Sequence, residues 1–271
     1  MTSEPPVPAE PFGREEGRSV FGRVAATYDA ARPGYPDRVY EILRDRCGLG
    51  PSTRVLEIGP GTGQATRRLL KLAGHVVAVE PSELLAEFLR AAPATAGVEI
   101  VAGPFEEAEL PPASFDLVVS ATAFHWLDAD VSLPRIAAVL RPGGWLALWW
   151  NEFGDPLEAN PFDEATGHVL GGLPAGPSGG TGDTRFALDV SARSEELARH
   201  GFRDVEHEAI RWPLELGPGR TRQLYASFSN VARLPDEERQ TILDEIERVA
   251  QVEFGGRVRI PMVTPIYTAQ V

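Results

Sequence analysis

A doubly wound α/β fold, with a mostly parallel sheet and helices on both faces, is what this sequence predicts. Two observations carry it. Five short apolar runs, at 53–58, 75–80, 98–103, 114–121 and 145–150, alternate with helices or helix-length segments. Such strands, apolar throughout, belong to a parallel sheet covered on both sides, and right-handed crossovers make that sheet doubly wound. A glycine-rich turn, GPGTG at 59–63, directly follows the first run. Ligands of open α/β sheets bind at the carboxyl ends of strands, near the topological switch point.

The elements follow in chain order. Residues 1–13 hold four prolines and few apolar anchors, and read as a flexible tail. After them Val20, Phe21, Val24, Ala25 and Tyr28 fall at helical spacings, and Pro33 and Pro36 end that amphipathic helix. A second helix is expected over about 37–47 and completes an N-terminal helical cap, 14–47. TRVLEI (53–58) is a strand by length and β-branching, and GQATRRLLKLA is the helix leaving the glycine turn. HVVAVE (75–80) is the second strand, and SELLAEFLRAA a helix with Ser82 as its N-cap. VEIVAG (98–103) and SFDLVVSA (114–121) are the third and fourth strands. DADVSLPRIAAVL is helical, RPGG a turn, and WLALWW (145–150) the fifth strand.

The second half reads differently. Residues 151–190 contain GGLPAGPSGGTGDT, a flexible loop or lid by composition. SEELARHGF is a helix stopped by Gly201, and RDVEHEAIRWPLEL a strand bent at Pro213. DEERQTILDEIERVAQ is a helix with Ile242, Ile246 and Val249 on one face, and RVRIPMVTPIYTAQV has β character. There is no internal repeat and no separate second domain. Residues 14–271 are expected to form one domain, with lid or insertion segments at 151–190 and 212–230.

Composition narrows the function. A chain of 271 residues with 43% hydrophobic residues can build a full core. A net charge of −13 argues against a nucleic-acid partner and against an anionic membrane surface. Cys47 is the only cysteine, which excludes an intrachain disulfide and a cysteine-based zinc site and points to a reducing compartment. The start, MTSEPPVPAEPFG, lacks the features of a signal peptide. No run approaches the ~20 apolar residues of a membrane span. The expectation is a soluble cytoplasmic protein, and no metal is expected.

The glycine turn asks which nucleotide-like ligand it serves. A dinucleotide site shows G-x-G-x-x-G with an acid some 20 residues on. Here the pattern is G-x-G-x-G, and Glu57 sits two residues before its first glycine. A carboxylate there repels a pyrophosphate and favours a cationic ligand. S-adenosylmethionine, with its sulfonium and ammonium and no phosphate, fits. At this point the sequence resembles the class I S-adenosylmethionine-dependent methyltransferases, whose first motif, E-x-G-x-G-x-G, is matched by Glu57, Gly59, Gly61 and Gly63. The resemblance runs from about Phe21 to Trp150, and more loosely to the C-terminus.

That resemblance implies a seven-stranded Rossmann-like sheet with an antiparallel C-terminal strand, and S-adenosylmethionine as cofactor. It implies that Glu80, ending VVAVEPS, takes the ribose hydroxyls, with Pro81 or Ser82 packed nearby. The family's G-D-A-E is replaced here by Gly103-Pro104-Phe105-Glu106, so adenine recognition passes to the Phe105 backbone or to Glu106. Ser120, Ala121 and Ala123 are expected near the cofactor, followed by His125 and Trp126. YDAARPGYP resembles the entry segment of a small-molecule branch, in which the N-terminal helix closes over the cofactor, and it places Tyr28 and Arg32 near the methionine end. RPGGWLAL resembles the turn into the fifth strand.

Each of these residues also has a plainer reading. Glu57 is then a strand-end acid, Glu80 a helix cap, and the glycines serve turn geometry. His125 is a candidate general base for a hydroxyl or phenol, or a packed imidazole. Tyr28 is the second candidate base, or a core residue of its helix. Trp126 is a packing or adenine-wall residue, and His168 a surface one. Trp145, Trp149 and Trp150 belong to the core, with Trp150 also placed to wall a pocket. The leading expectation is methyl transfer to a small organic acceptor (an O-, N- or C-nucleophile) bound by residues 14–36, 151–190 and 212–230. The alternatives are a cyclase or binding protein on the same fold, an NAD-dependent oxidoreductase, and an RNA methyltransferase, which the acidic charge disfavours.

Overall fold

The structure, a computed structural model, describes residues 25–173 and 185–271. The tail 1–13, the helix positions Val20, Phe21 and Val24, and most of the glycine-rich run lie outside the described residues. Eight strands form one sheet: β1 (Arg54–Ile58), β2 (His75–Glu80), β3 (Glu99–Ala102), β4 (Phe115–Ala121), β5 (Leu140–Trp149), β6 (Glu152–Phe153), β7 (Arg203–Leu216) and β8 (Val258–Gln270). Their order is β3-β2-β1-β4-β5-β8-β6, with β7 also paired to β8. Strands β1 to β5 pair in parallel, and β8 runs antiparallel to β5, β6 and β7.

The expected seven strands are therefore eight. The added one, β6, has two residues, Glu152 and Phe153, opposite Val263 and Met262 of β8. The reason lies in the length of β8, which has 13 residues while β5 ends at Trp149. The first half of β8 keeps an open edge there, and the chain leaving β5 stays beside it through Trp150 N–H to Pro265 O (3.2 Å) before β6 pairs.

The described helices are α1 (Ala25–Ala31), α2 (Asp37–Asp45), α3 (Thr66–Leu72), α4 (Glu83–Ala91), α5 (Ala129–Val139), α6 (Pro161–Leu170), α7 (Val190–Arg199), α8 (Pro218–Ala226), α9 (Ser229–Ala232) and α10 (Asp236–Val252). Ser82 caps α4 as expected, its hydroxyl accepting from Leu85 N–H. Asn160 and Asp189 cap α6 and α7 in the same way.

Successive strand residues point to opposite faces of a sheet. Leu56, Val77, Val79 and Leu148 accordingly pack with Leu133 and Ile136 of α5. Val55, Val76, Leu117 and Trp149 pack with Tyr40 and Leu43 of α2 and Leu69 of α3. A third core joins Phe162 of α6, Leu224 of α8 and Ile246 and Val249 of α10 to Ile260 and Met262 of β8. The segments 151–190 and 212–230, expected as lid or insertion, carry regular structure that feeds this third core. The first contains α6, and the second the end of β7 and all of α8.

Candidate active site

Strand order reverses between β1 and β4, and a cleft opens there at the carboxyl ends of the strands. It encloses about 1000 Å³, its open mouth included. The glycine loop forms its floor. Gly61 adopts φ +60°, and a Cβ there would meet nothing within 4 Å. The backbone is thus bare toward the cleft and open to close approach. Gly63 serves packing instead, because a Cβ would strike Leu89 Cδ2 at 2.9 Å and Thr95 Cγ2 at 3.0 Å.

Glu80 ends β2 beneath this loop and is 3% exposed. One carboxylate oxygen accepts Gly61 N–H at 3.0 Å and the other accepts Ser82 N–H at 2.9 Å. The acid therefore shapes the glycine loop itself.

Glu57 is 1% exposed, and neither of its oxygens has a hydrogen-bond partner among the described residues. Burial pushes its carboxyl up to about 7 and the Glu80 charge adds to the rise, while the nearby Thr66 hydroxyl, which falls outside hydrogen-bond geometry and has no partner of its own, and Arg67 oppose it. An unpaired buried carboxylate is costly.

The other expected residues divide. Tyr28, Gly59, Pro81, Phe105 and Ala121 line the cleft, as do Glu80 and Gly61. Trp126, weighed for the adenine wall, lines it too. Ser120 does not line it: its hydroxyl donates to Ile58 O at 3.1 Å and ties β4 to β1. Glu106 is half-buried and lies off the cleft. Arg32 turns toward the C-terminal half. Its guanidinium sits 5.0, 5.0 and 4.7 Å from the rings of Tyr28, Phe153 and Phe228, and it donates to the Ser227 hydroxyl (2.9 Å) and carbonyl (3.1 Å).

His125 does not line the cleft. Its Nδ1 accepts from Trp150 Nε1 at 3.1 Å. An indole N–H only donates, so the neutral ring carries its proton on Nε2. The lone pair that a base would use is engaged, and the geometry matches the packed imidazole rather than the proton acceptor. His168 is exposed, as its surface reading has it.

Tyr35, Gln64 and Thr122 also line the cleft and were missed. Tyr35 lies in RPGYP, where the prolines read only as helix stops. Thr122 follows β4 with φ +55°, a conformation no residue type announces.

A parallel sheet, a glycine loop after β1, an acid ending β2 and an antiparallel β7–β8 edge together define an α/β protein with a Rossmann-like sheet and a cleft at its strand ends. A methyltransferase domain family matches residues 56–148. An uncharacterized methyltransferase of Mycobacterium tuberculosis is 33% identical over 230 residues, 84% of each chain. A candidate type II methyltransferase structure from Anaeromyxobacter dehalogenans superposes with a TM-score of 0.63, 22% identity, and coverage of 88% of this chain and 97% of that one. Phosphoethanolamine N-methyltransferase 2 of Haemonchus contortus, solved with phosphomonomethylethanolamine and S-adenosylhomocysteine, gives 0.53 at 18% identity, over 94% of this chain and 57% of that one. The chain belongs to the class I S-adenosylmethionine-dependent methyltransferase family.

Proposed function

We propose that this enzyme carries a methyl group from S-adenosylmethionine to a small organic acceptor, with the donor bound in the cleft between the glycine loop and α1. The observation that carries this reading is Glu57, buried without a hydrogen-bond partner behind the loop. No Lys or Arg is among the described residues lining the cleft. A pyrophosphate therefore meets the Glu80 carboxylate on the wall, with Glu57 buried behind the loop and no cation on the wall, whereas an ammonium or sulfonium meets a favourable field.

S-adenosylmethionine, when bound, supplies an electrophilic methyl on a sulfonium. The chain's own part is to hold and align. Glu80, which ends β2 on the cleft wall, accepts the ribose hydroxyls. Gly59 and Gly61 let the backbone run close to the ligand, and Glu57 compensates the ammonium. Phe105 and Pro81 wall the base side, and Tyr28 covers the methionine end. Aligning donor and nucleophile within a closed site is the main source of rate in such a displacement. Of the two expected bases, Tyr28 is on the cleft wall, so it is the group assigned to touch the acceptor.

The test is calorimetry followed by a turnover screen. S-adenosylmethionine should bind and NADH should not. Candidate hydroxyl, amine and carboxylate compounds are then scored by release of S-adenosylhomocysteine. Binding of NADH in preference to S-adenosylmethionine would overturn the reading.

A further inference from the structure

Two cleft residues that neither the glycine motif nor the acids involve form a pair. Tyr35, between α1 and α2, and Thr122, just past β4, both line the cleft, and their hydroxyls lie 2.9 Å apart. Thr122 Oγ1 also accepts Asn151 N–H at 3.4 Å. Among the described residues the hydroxyl bonds of the pair end there. Two hydroxyls bring two protons, and the bond between them uses one. The other has no acceptor among the described residues. Whichever way the shared bond runs, the pair keeps one O–H to donate, on the wall of the cleft.

The pair is held at a cost. Thr122 is β-branched, and a φ of +55° is an outlier for such a residue. Strain of this kind persists only where the surroundings over-determine it, and it gathers at ligand sites. The surroundings are visible. Thr122 N–H donates to Trp149 O at 2.7 Å. Asn151 is fixed in turn: its amide oxygen accepts from Thr264 Oγ1 (2.7 Å), its amide nitrogen donates to Gly34 O (3.2 Å), and Trp212 Nε1 donates to Thr264 Oγ1 (2.9 Å). Burial pushes the Tyr35 phenol far above its ordinary range, so it stays protonated and serves as a donor.

We propose that the Tyr35–Thr122 pair is a carboxylate subsite, its spare O–H donating to an anionic oxygen of the ligand. This rests on the reading that S-adenosylmethionine occupies the cleft. Two sources fit the chemistry: the methionine carboxylate of the donor, or a carboxylate on the methyl acceptor.

The test uses the whole chain and three variants, Tyr35→Phe, Thr122→Ala and both together. Binding of S-adenosylmethionine and of its decarboxylated analogue, which keeps both cationic groups, is measured by calorimetry. If the donor is the source, the wild type prefers the carboxylated compound, and the double variant loses at least about tenfold in affinity for it. Its affinity for the decarboxylated analogue stays unchanged, which also shows that the variant is folded. If the acceptor is the source, the donor's affinity is unchanged, while S-adenosylhomocysteine-loaded wild type binds acetate, succinate or benzoate and the double variant does not. No change in either arm overturns the subsite. Failure of the wild type to bind S-adenosylmethionine at all overturns instead the reading beneath it.

Discussion

Glu57 carries a conflict that can be measured. Its carboxyl is raised to about 7 by burial, so between the ordinary carboxylate range and 7 the folded protein holds a proton that the unfolded chain releases. A raised folded value gives stability that is present in acid and is lost as pH rises toward 7. The loss amounts to about 3 kcal/mol at most. Glu57→Gln is therefore expected to raise the thermal midpoint of the ligand-free protein at pH 8 and to change it little at pH 4.5. The same substitution should weaken S-adenosylmethionine, and it should flatten a wild-type affinity that climbs as pH rises through 7. Equal midpoints at pH 8 would show that the acid is not buried as described. Glu80→Ala removes a group that orders Gly61 as well as one proposed to hold ribose. It should cost at least ~1.5–3 kcal/mol of cofactor affinity, the range for hydrogen bonds to charged groups, and an unchanged dissociation constant would refute the assignment. For His125→Ala the expectation reverses that of a base. With its Nδ1 engaged by Trp150, the variant should lose stability while keeping the pH profile of turnover.

At the scale of elements, β1 to β5 and the helices between them were legible because length, β-branching and caps such as Ser82 all agree there. The strand ends were less so: β5 begins at Leu140, inside what read as helix and turn. Less legible was the C-terminal cap. α8 buries Thr221, Leu224 and Tyr225, a stripe too short and too mixed with arginine and glutamine to stand out. β6 exists only because β8 outruns β5. Among site residues, the acids and glycines announced themselves by motif, whereas Tyr35 and Thr122 depend on two loops meeting in space. Arg32 was expected near the cofactor and instead ties α1 to Ser227. Arg220 reinforces the tie by donating to Ala30 O, and on the other side Arg67 pairs with Asp29 of α1 at 2.7 Å. So α1, which carries Tyr28 to the cleft, is pinned from core and cap at once. Arg32→Ala loses the ring contacts and both Ser227 bonds, a cost of about 1–2 kcal/mol. It should speed hydrogen exchange in 25–31 and raise the KM for S-adenosylmethionine more than it lowers kcat. Unchanged exchange in that helix would show that the tie does not hold it.

Over the whole molecule, the charge of −13 acts on the same ligand from a distance. Methyl transfer removes the sulfonium charge, so donor and product differ by one positive charge in an otherwise similar shape. An acidic protein then holds the donor more tightly than the product, which aids exchange of one for the other after each turnover. Two parts of that preference can be separated. The contribution of distant surface acids is screened once the Debye length falls to about 10 Å, while that of buried Glu57 is screened much less. Calorimetry at about 20 and about 300 mM salt should show the ratio of S-adenosylmethionine to S-adenosylhomocysteine affinity shrinking several-fold as salt rises, on the order of 1 kcal/mol. What is left at high salt should fall further in Glu57→Gln. A ratio indifferent to salt would assign the whole preference to the buried acid, and the excess of surface carboxylates would then have no part in choosing the ligand.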